Sequence, residues 1–181
     1  MKTILITGYD GFIGKHLVSN LAKKYHLIGL SNRITNDSNI ECIKGDITKS
    51  TFPKIKSKIH YIIHLAAMTD ISICQQNPSE CFKTNVLGTQ NVLEFARKND
   101  SKVIFVSSSH VYGNPSKLPL YEISQTNPLT VYGSSKLAGE IICKSYSQNY
   151  NLDISILRSR IPNFFKITRP TPSFSKLIGI S

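Results

Sequence analysis

Three glycines spaced three residues apart, Gly8, Gly11 and Gly14, stand between an apolar run and a helical repeat, and few folds accept that order. Lys2 to Thr7 is a short β-branched run that reads as a buried strand. His16 to Lys24 then carries apolar residues at Leu17, Val18 and Leu21, a helical pattern. The intervening Gly8-Tyr9-Asp10-Gly11-Phe12-Ile13-Gly14 is therefore a strand-to-helix turn, the context in which a glycine fingerprint points to a nucleotide. Gly8 permits the tight turn, Gly11 allows the backbone to approach a pyrophosphate, and Gly14 lets the helix pack close. The helix amino terminus offers unpaired N–H groups and a positive dipole end.

The rest of the chain repeats the alternation. His26 to Leu30, Glu41 to Lys44, Ile59 to Leu65, Val103 to Val106 and Asp153 to Leu157 read as strands. Pro78 to Lys98 reads as one long helix, and Leu129 to Gln148 as another. Strands alternating with helices imply a Rossmann-like α/β fold: a doubly wound parallel sheet with helices on both faces. Ligands in that architecture sit beyond the carboxyl ends of the strands. Gly8, Asn32, Asp46, Ala66 and Ser108 fall at such ends.

Each of these ends suggests a contact. Asn32 and Arg33, after the second strand, suit a ribose phosphate, which tilts the cofactor towards NADP; Asp37 nearby keeps NAD open. Asp46, followed by Ile47, either reaches an adenine amino group or caps the next turn. Leu65, Ala66 and Ala67 are small or apolar residues that admit a ligand close to the backbone. His64 reads as a packed strand-end histidine. Asn85 falls inside the long helix, where a buried amide must bind a backbone group or a water near the active site, and it is grouped with the cofactor-binding residues.

Tyr132 and Lys136 lie one helical turn apart, so both side chains share a helix face. The serine run Ser107-Ser108-Ser109 lies upstream. A lysine ammonium beside a tyrosine would lower the phenol from its usual value near 10, making a general base suited to an alcohol. A serine hydroxyl would steady the oxygen being deprotonated.

Composition sets outer limits. The chain has 181 residues, long enough for one domain with a true core. The formal charge is +11, but the lysines are scattered and form no arginine-rich stripe, so nucleic acid is not expected as a partner. No apolar run is long enough to span a membrane. Cys42, Cys74, Cys81 and Cys143 lack metal-ligand spacing, and His16, His26, His60 and His110 show no zinc-like pairing, so no metal is expected. Reduced cysteines and a cytoplasmic setting follow. Cys74 and Cys81, seven apart, would be neighbours if one helix carried both.

Thr7-Gly-Tyr-Asp-Gly-Phe-Ile-Gly14, His64-Leu-Ala-Ala67, Asn85-Val-Leu-Gly-Thr89, Ser107-Ser-Ser-His-Val-Tyr-Gly113 and Tyr132-Gly-Ser-Ser-Lys136 together resemble the extended short-chain dehydrogenase/reductase family. The likeness is greatest to its NAD-dependent epimerase/dehydratase branch, which acts on nucleotide sugars. That resemblance implies a Ser-Tyr-Lys centre of Ser108, Tyr132 and Lys136, with Ser109 a less favoured serine. It also implies a pyrophosphate loop at Gly8, Gly11 and Gly14, a nucleotide-sugar substrate, and a homodimer as one assembly open to it. Relatives that dehydrate the sugar often carry an acidic pair beside the serine; Ser108-Ser109-His110 has none, which favours epimerase or reductase chemistry. Residues 1–160 are expected to be the cofactor-binding domain. Residues 161–181 depart from the family's Asn-x-Tyr-Gly-Pro pattern, keeping Asn163, and read as a divergent remnant of the substrate-binding region.

Overall fold

The strand runs show little apolar–polar alternation, so each needs cover on both faces, and a parallel sheet clad in helices supplies it. The computed structural model describes residues 1–33, 35 and 37–159. The tail read as 161–181, with Asn163, lies outside the described residues. The strands are β1 (Thr3–Thr7), β2 (His26–Ser31), β3 (Glu41–Lys44), β4 (Tyr61–His64), β5 (Lys102–Ser108) and β6 (Ile154–Ser159). They form one six-stranded sheet in the order β3-β2-β1-β4-β5-β6, every pairing parallel. The winding reverses between β1 and β4, which creates the crevice where such folds bind ligands.

The two sheet faces divide the core by residue parity. Leu5, Ile62 and Phe105 pack with Val92, Leu93 and Cys143, while Ile4, Ile6, Ile63 and Ile104 pack with Leu17, Val18 and Leu21. The helices are α1 (Phe12–Leu21), α2 (Ile71–Gln76), α3 (Pro78–Phe82), α4 (Gly88–Asn99) and α5 (Val131–Tyr150). A π turn spans Lys83–Leu87 and a 3-10 turn spans Ser109–Tyr112.

Three readings of the sequence need correction. The helix expected over Pro78–Lys98 is instead α3, the π turn and α4 in succession. The π turn coincides with Asn85, whose side chain is committed elsewhere, as described below. A separate α2 precedes it, started by Asp70, whose carboxylate accepts from the Ile73 N–H at 2.9 Å. Cys74 and Cys81 consequently lie on different helices, either side of Asn77-Pro78, yet their sulfur atoms still meet. Helix α1 begins at Phe12 rather than His16. Helix α5 begins at Val131 rather than Leu129, because the Thr130 hydroxyl accepts from the Gly133 N–H at 3.0 Å and fixes the start.

Candidate functional site

The glycine loop is shaped by backbone crowding. Gly8 has φ +70°, and a Cβ there would stand 2.8 Å from the Ala66 nitrogen. A Cβ on Gly14 would run into the Tyr9 backbone, so this glycine fits the loop against itself as well as seating α1. Gly11 begins α1 without a side-chain cap. Among the described residues, the N–H groups of Ile13 and Gly14 have no partner. A helix start with open donors and a positive dipole end fits a pyrophosphate.

From this loop a cleft of about 1230 Å³ runs across the carboxyl ends of the strands. Gly8, Asp10, Gly11, Phe12, Ile13, Gly14, Asn32, Arg33, Asp46, Ile47, Leu65, Ala66 and Ala67 line it, and so do Ser108, Ser109, Tyr132 and Lys136. Arg33 is a largely exposed guanidinium whose Nε lies 3.7 Å from the Asp10 carboxylate. Asp46 caps the next turn through one carboxylate oxygen while still lining the cleft. Its Oδ1 accepts from the Thr48 N–H at 2.9 Å and the Thr48 hydroxyl at 2.8 Å. The Thr48 backbone bond, above all, holds this carboxyl below its usual range.

Two residues expected at the cofactor lie away from the cleft. Tyr9 is buried, its ring pressed on Gly29 and its hydroxyl 2.7 Å from the Thr35 hydroxyl. A residue of the glycine loop with so large an apolar side chain packs into the core rather than facing a phosphate. Asn85 is also buried. Its Oδ1 accepts from the Met68 N–H at 2.8 Å, and its Nδ2 donates to the Met68 carbonyl and to the Ser135 hydroxyl, both at 2.9 Å. The amide therefore clamps the Met68 loop to α5. The sequence had flagged a buried amide in need of a partner, but not which backbone it would take.

At the other end, Ser108 ends β5 and Tyr132 sits in the first turn of α5. The Ser108 and Tyr132 side chains face the same cleft, and the His110 ring meets the Tyr132 ring edge-on, centroids 5.7 Å apart. Lys136 is buried, with Nζ 4.3 Å from the centre of the Phe105 ring. Electrostatics here differ from the expectation that Lys136 lowers the Tyr132 phenol. Burial pushes the phenol up, only partly opposed by the nearby Ser108 hydroxyl. Burial also brings Lys136 down to about 8. Low polarizability of the surroundings favours the neutral form of both groups. Without a ligand, Tyr132 is a proton donor at neutral pH.

The structure adds two networks that the sequence reading missed. Glu140, fully buried one turn after Lys136, accepts from the Ser107 hydroxyl at 2.6 Å and from Arg158 Nε and Nη2 at 2.9 and 2.7 Å. Arg158 Nη1 donates to the Tyr112 hydroxyl at 2.8 Å and the Glu122 carbonyl at 3.0 Å. An acidic residue on the buried face of the helix that carries Tyr132 and Lys136 was the available signal.

The second network runs from Ala66 to Asn85. The Thr89 hydroxyl donates to the Asn85 carbonyl at 2.6 Å, so it must accept from His64 Nε2 at 3.1 Å. His64 Nδ1 then accepts from the Thr7 hydroxyl at 2.7 Å, which in turn accepts from the Ala66 N–H. Burial, aided by the Lys136 charge, lowers His64 to about 3. It is a neutral, packed histidine, as the sequence suggested. Among the described residues, no group of three His, Cys, Asp or Glu side chains could hold a metal ion, and no helix is long and apolar enough to cross a membrane.

A parallel sheet in this order, a glycine turn at its switch point and a Ser-Tyr-Lys arrangement across the cleft define a dinucleotide-binding α/β protein. The family model described as "NAD dependent epimerase/dehydratase family" matches residues 4–164, and the chain belongs to that family. A putative UDP-glucose 4-epimerase of Methanocaldococcus jannaschii is 41% identical over 86% of this chain and 54% of its own length. The human dTDP-D-glucose 4,6-dehydratase is 32% identical over 87% of this chain and 50% of its own. The structure of UDP-glucose 4-epimerase from Brucella ovis in complex with NAD superposes with a TM-score of 0.79 at 30% identity, covering 87% of this chain and 51% of that one. The chain spans about half the length of the curated relatives it matches.

Proposed function

We propose that this chain binds NAD or NADP along the cleft and that Ser108, Tyr132 and Lys136 move a proton to and from a sugar hydroxyl or keto oxygen of a nucleotide sugar. The reaction class is epimerisation or reduction. One observation carries this reading: a single cleft joins the open donors of the glycine loop to Ser108, Tyr132 and the buried Lys136. When bound, the nicotinamide supplies the hydride carrier. The Ile13 and Gly14 N–H groups would hold the pyrophosphate, Asn32 and Arg33 the adenosine ribose, and Asp46 and Ile47 the adenine side. Arg33 keeps most of its guanidinium exposed for a ribose phosphate, which favours NADP slightly, although the Brucella ovis epimerase was solved with NAD.

Within the centre, the Tyr132 phenol oxygen gives and takes the proton. Ser108 steadies that oxygen, and Lys136, lowered to about 8 by burial, stays mostly charged at neutral pH and can donate to a ribose hydroxyl. The names of the relatives support a nucleotide sugar, and the lack of an acidic pair beside Ser108 favours epimerisation or reduction over dehydration. A reductase of other alcohols would share the same centre. The setting we infer is cytoplasmic. A homodimer is part of the reading, since α5 exposes Ile141 and Tyr150 to solvent.

A second reading, a cofactor-binding module without its own turnover, is favoured by the chain's spanning about half the length of its relatives. Titration with NADH and NADPH, followed by product analysis on nucleotide sugars, separates the two. Tyr132→Phe is expected to cut turnover by about 100-fold or more while leaving cofactor affinity within about twofold. Unchanged turnover in that variant rejects the centre. Cofactor binding with no product from the wild-type chain selects the module.

A further inference from the structure

Two thiols meet behind α5 in a place the proposed chemistry does not use. Cys74 on α2 and Cys81 on α3 are both fully buried, with their Sγ atoms 2.6 Å apart. A disulfide needs roughly 2.05 Å, so little backbone movement separates the two states. The surroundings tie this pair to the site. Cys74 Sγ lies 3.6 Å from the Met68 carbonyl, and Cys81 Sγ lies 3.7 Å from the Ser135 hydroxyl. Asn85 Nδ2, which clamps Met68 to Ser135, stands 3.5 Å from Cys81 Sγ. Thr69 and Ile71, between that clamp and Cys74, line the cleft.

We propose that Cys74 and Cys81 are a modification site, a reversible intramolecular disulfide that ties α2 to α3 and stiffens the Thr69–Ile71 wall of the cleft. Cys143 is equally buried and Cys42 is the more accessible thiol, its Sγ donating to the Ile40 carbonyl; among the described residues neither has a sulfur contact like that of Cys74 with Cys81. The geometry thus assigns the bond to one pair among four cysteines.

The oxidant is a small-molecule disulfide of the glutathione class. The Cys74 thiolate attacks one sulfur of that disulfide, and a small thiolate leaves. Cys81 then loses its proton to solvent and attacks the mixed disulfide at Cys74, expelling the second small thiolate. Two protein thiols and one small disulfide become one protein disulfide and two small thiols. Burial holds the Cys74 thiol at about 12, so the closed protein reacts slowly. The gate is α2 itself: six residues long, with every residue but Cys74 exposed. An element with so few buried contacts opens locally at small cost and presents Cys74.

The test treats the native full chain with oxidised glutathione, blocks remaining thiols, and reads intact mass, peptide map and amide hydrogen exchange. The expected result is a loss of two hydrogens, a cross-linked peptide joining 74 and 81, and exchange across residues 69–76 slowed at least about tenfold. Reduction should restore the original exchange. Cys81→Ser should leave a mixed disulfide on Cys74 instead. Glutathione on Cys42 alone, a cross-link formed only in denaturant, or a native cross-link with unchanged exchange would each overturn the proposal. The peptide map of the wild-type chain decides the matter even if a variant fails to fold.

Discussion

The two ends of the cleft are built from different materials. At the β1 end, the proposed function rests on the backbone: glycines with no side chain to interfere, and N–H groups without a partner among the described residues at the start of α1. At the β5 end the proposed function rests on side chains, beside a Glu140–Arg158 pair that links β5, β6, α5 and the Tyr112 turn. The first end needs nothing more than spacing to be recognisable. The second becomes visible only once distant residues are brought together. Recognition of a phosphate tolerates a generic loop, whereas proton transfer needs each oxygen fixed by its neighbours.

Four substitutions would sharpen or break that contrast. Glu140→Ala should cost the most, about 3–5 kcal/mol of folding stability in chemical denaturation, because Arg158 would be left as an unpaired charge with little exposure. A loss below about 1 kcal/mol would mean the β5 end does not depend on this pair. Gly14→Val should weaken NADH binding by about 100-fold or more, since the added side chain meets the Tyr9 backbone. Calorimetry showing normal affinity would overturn the backbone account of the β1 end.

Lys136→Met should raise stability by up to on the order of 3 kcal/mol below about pH 8. The sign follows from the depressed lysine. Between about 8 and its ordinary value near 10.5 the unfolded chain binds more protons than the folded one, so wild-type stability rises with pH across that window. The variant's advantage should fade over the same interval in thermal melts. Thr130→Ala is the smallest expected change, about 1 kcal/mol, from loss of the cap that begins α5.

Legibility in the sequence followed the same division. The four inner strands and the glycine turn could be read because burial on both faces leaves continuous apolar runs, and because the glycine spacing answers to local geometry. The placement of Ser108, Tyr132 and Lys136 on one cleft also followed, since strand ends in this architecture converge. What escaped was set by contacts between segments. Asn85 opens the helix into a π turn because Met68 and Ser135 compete for its amide. Tyr9 leaves the cofactor side because Gly29, on the neighbouring strand, makes room for its ring. The direction of the Tyr132 shift depended on burial, which a helical spacing does not encode.

The chain of groups from Ala66 through Thr7, His64 and Thr89 to Asn85 has a further consequence. Every hydroxyl in it has spent its single proton, and the imidazole has one donor and one acceptor to offer. No member can rotate alone. Reversal would need all of them to turn together, and it would fail at both ends, where an amide can only give a proton and a carbonyl can only take one. The sequence of donors is therefore one-way, a ratchet without a second setting, and His64 records its direction in which ring nitrogen carries hydrogen. Nitrogen NMR of that one imidazole would read the registry of the Ala66 loop against the π turn without any view of the cleft itself.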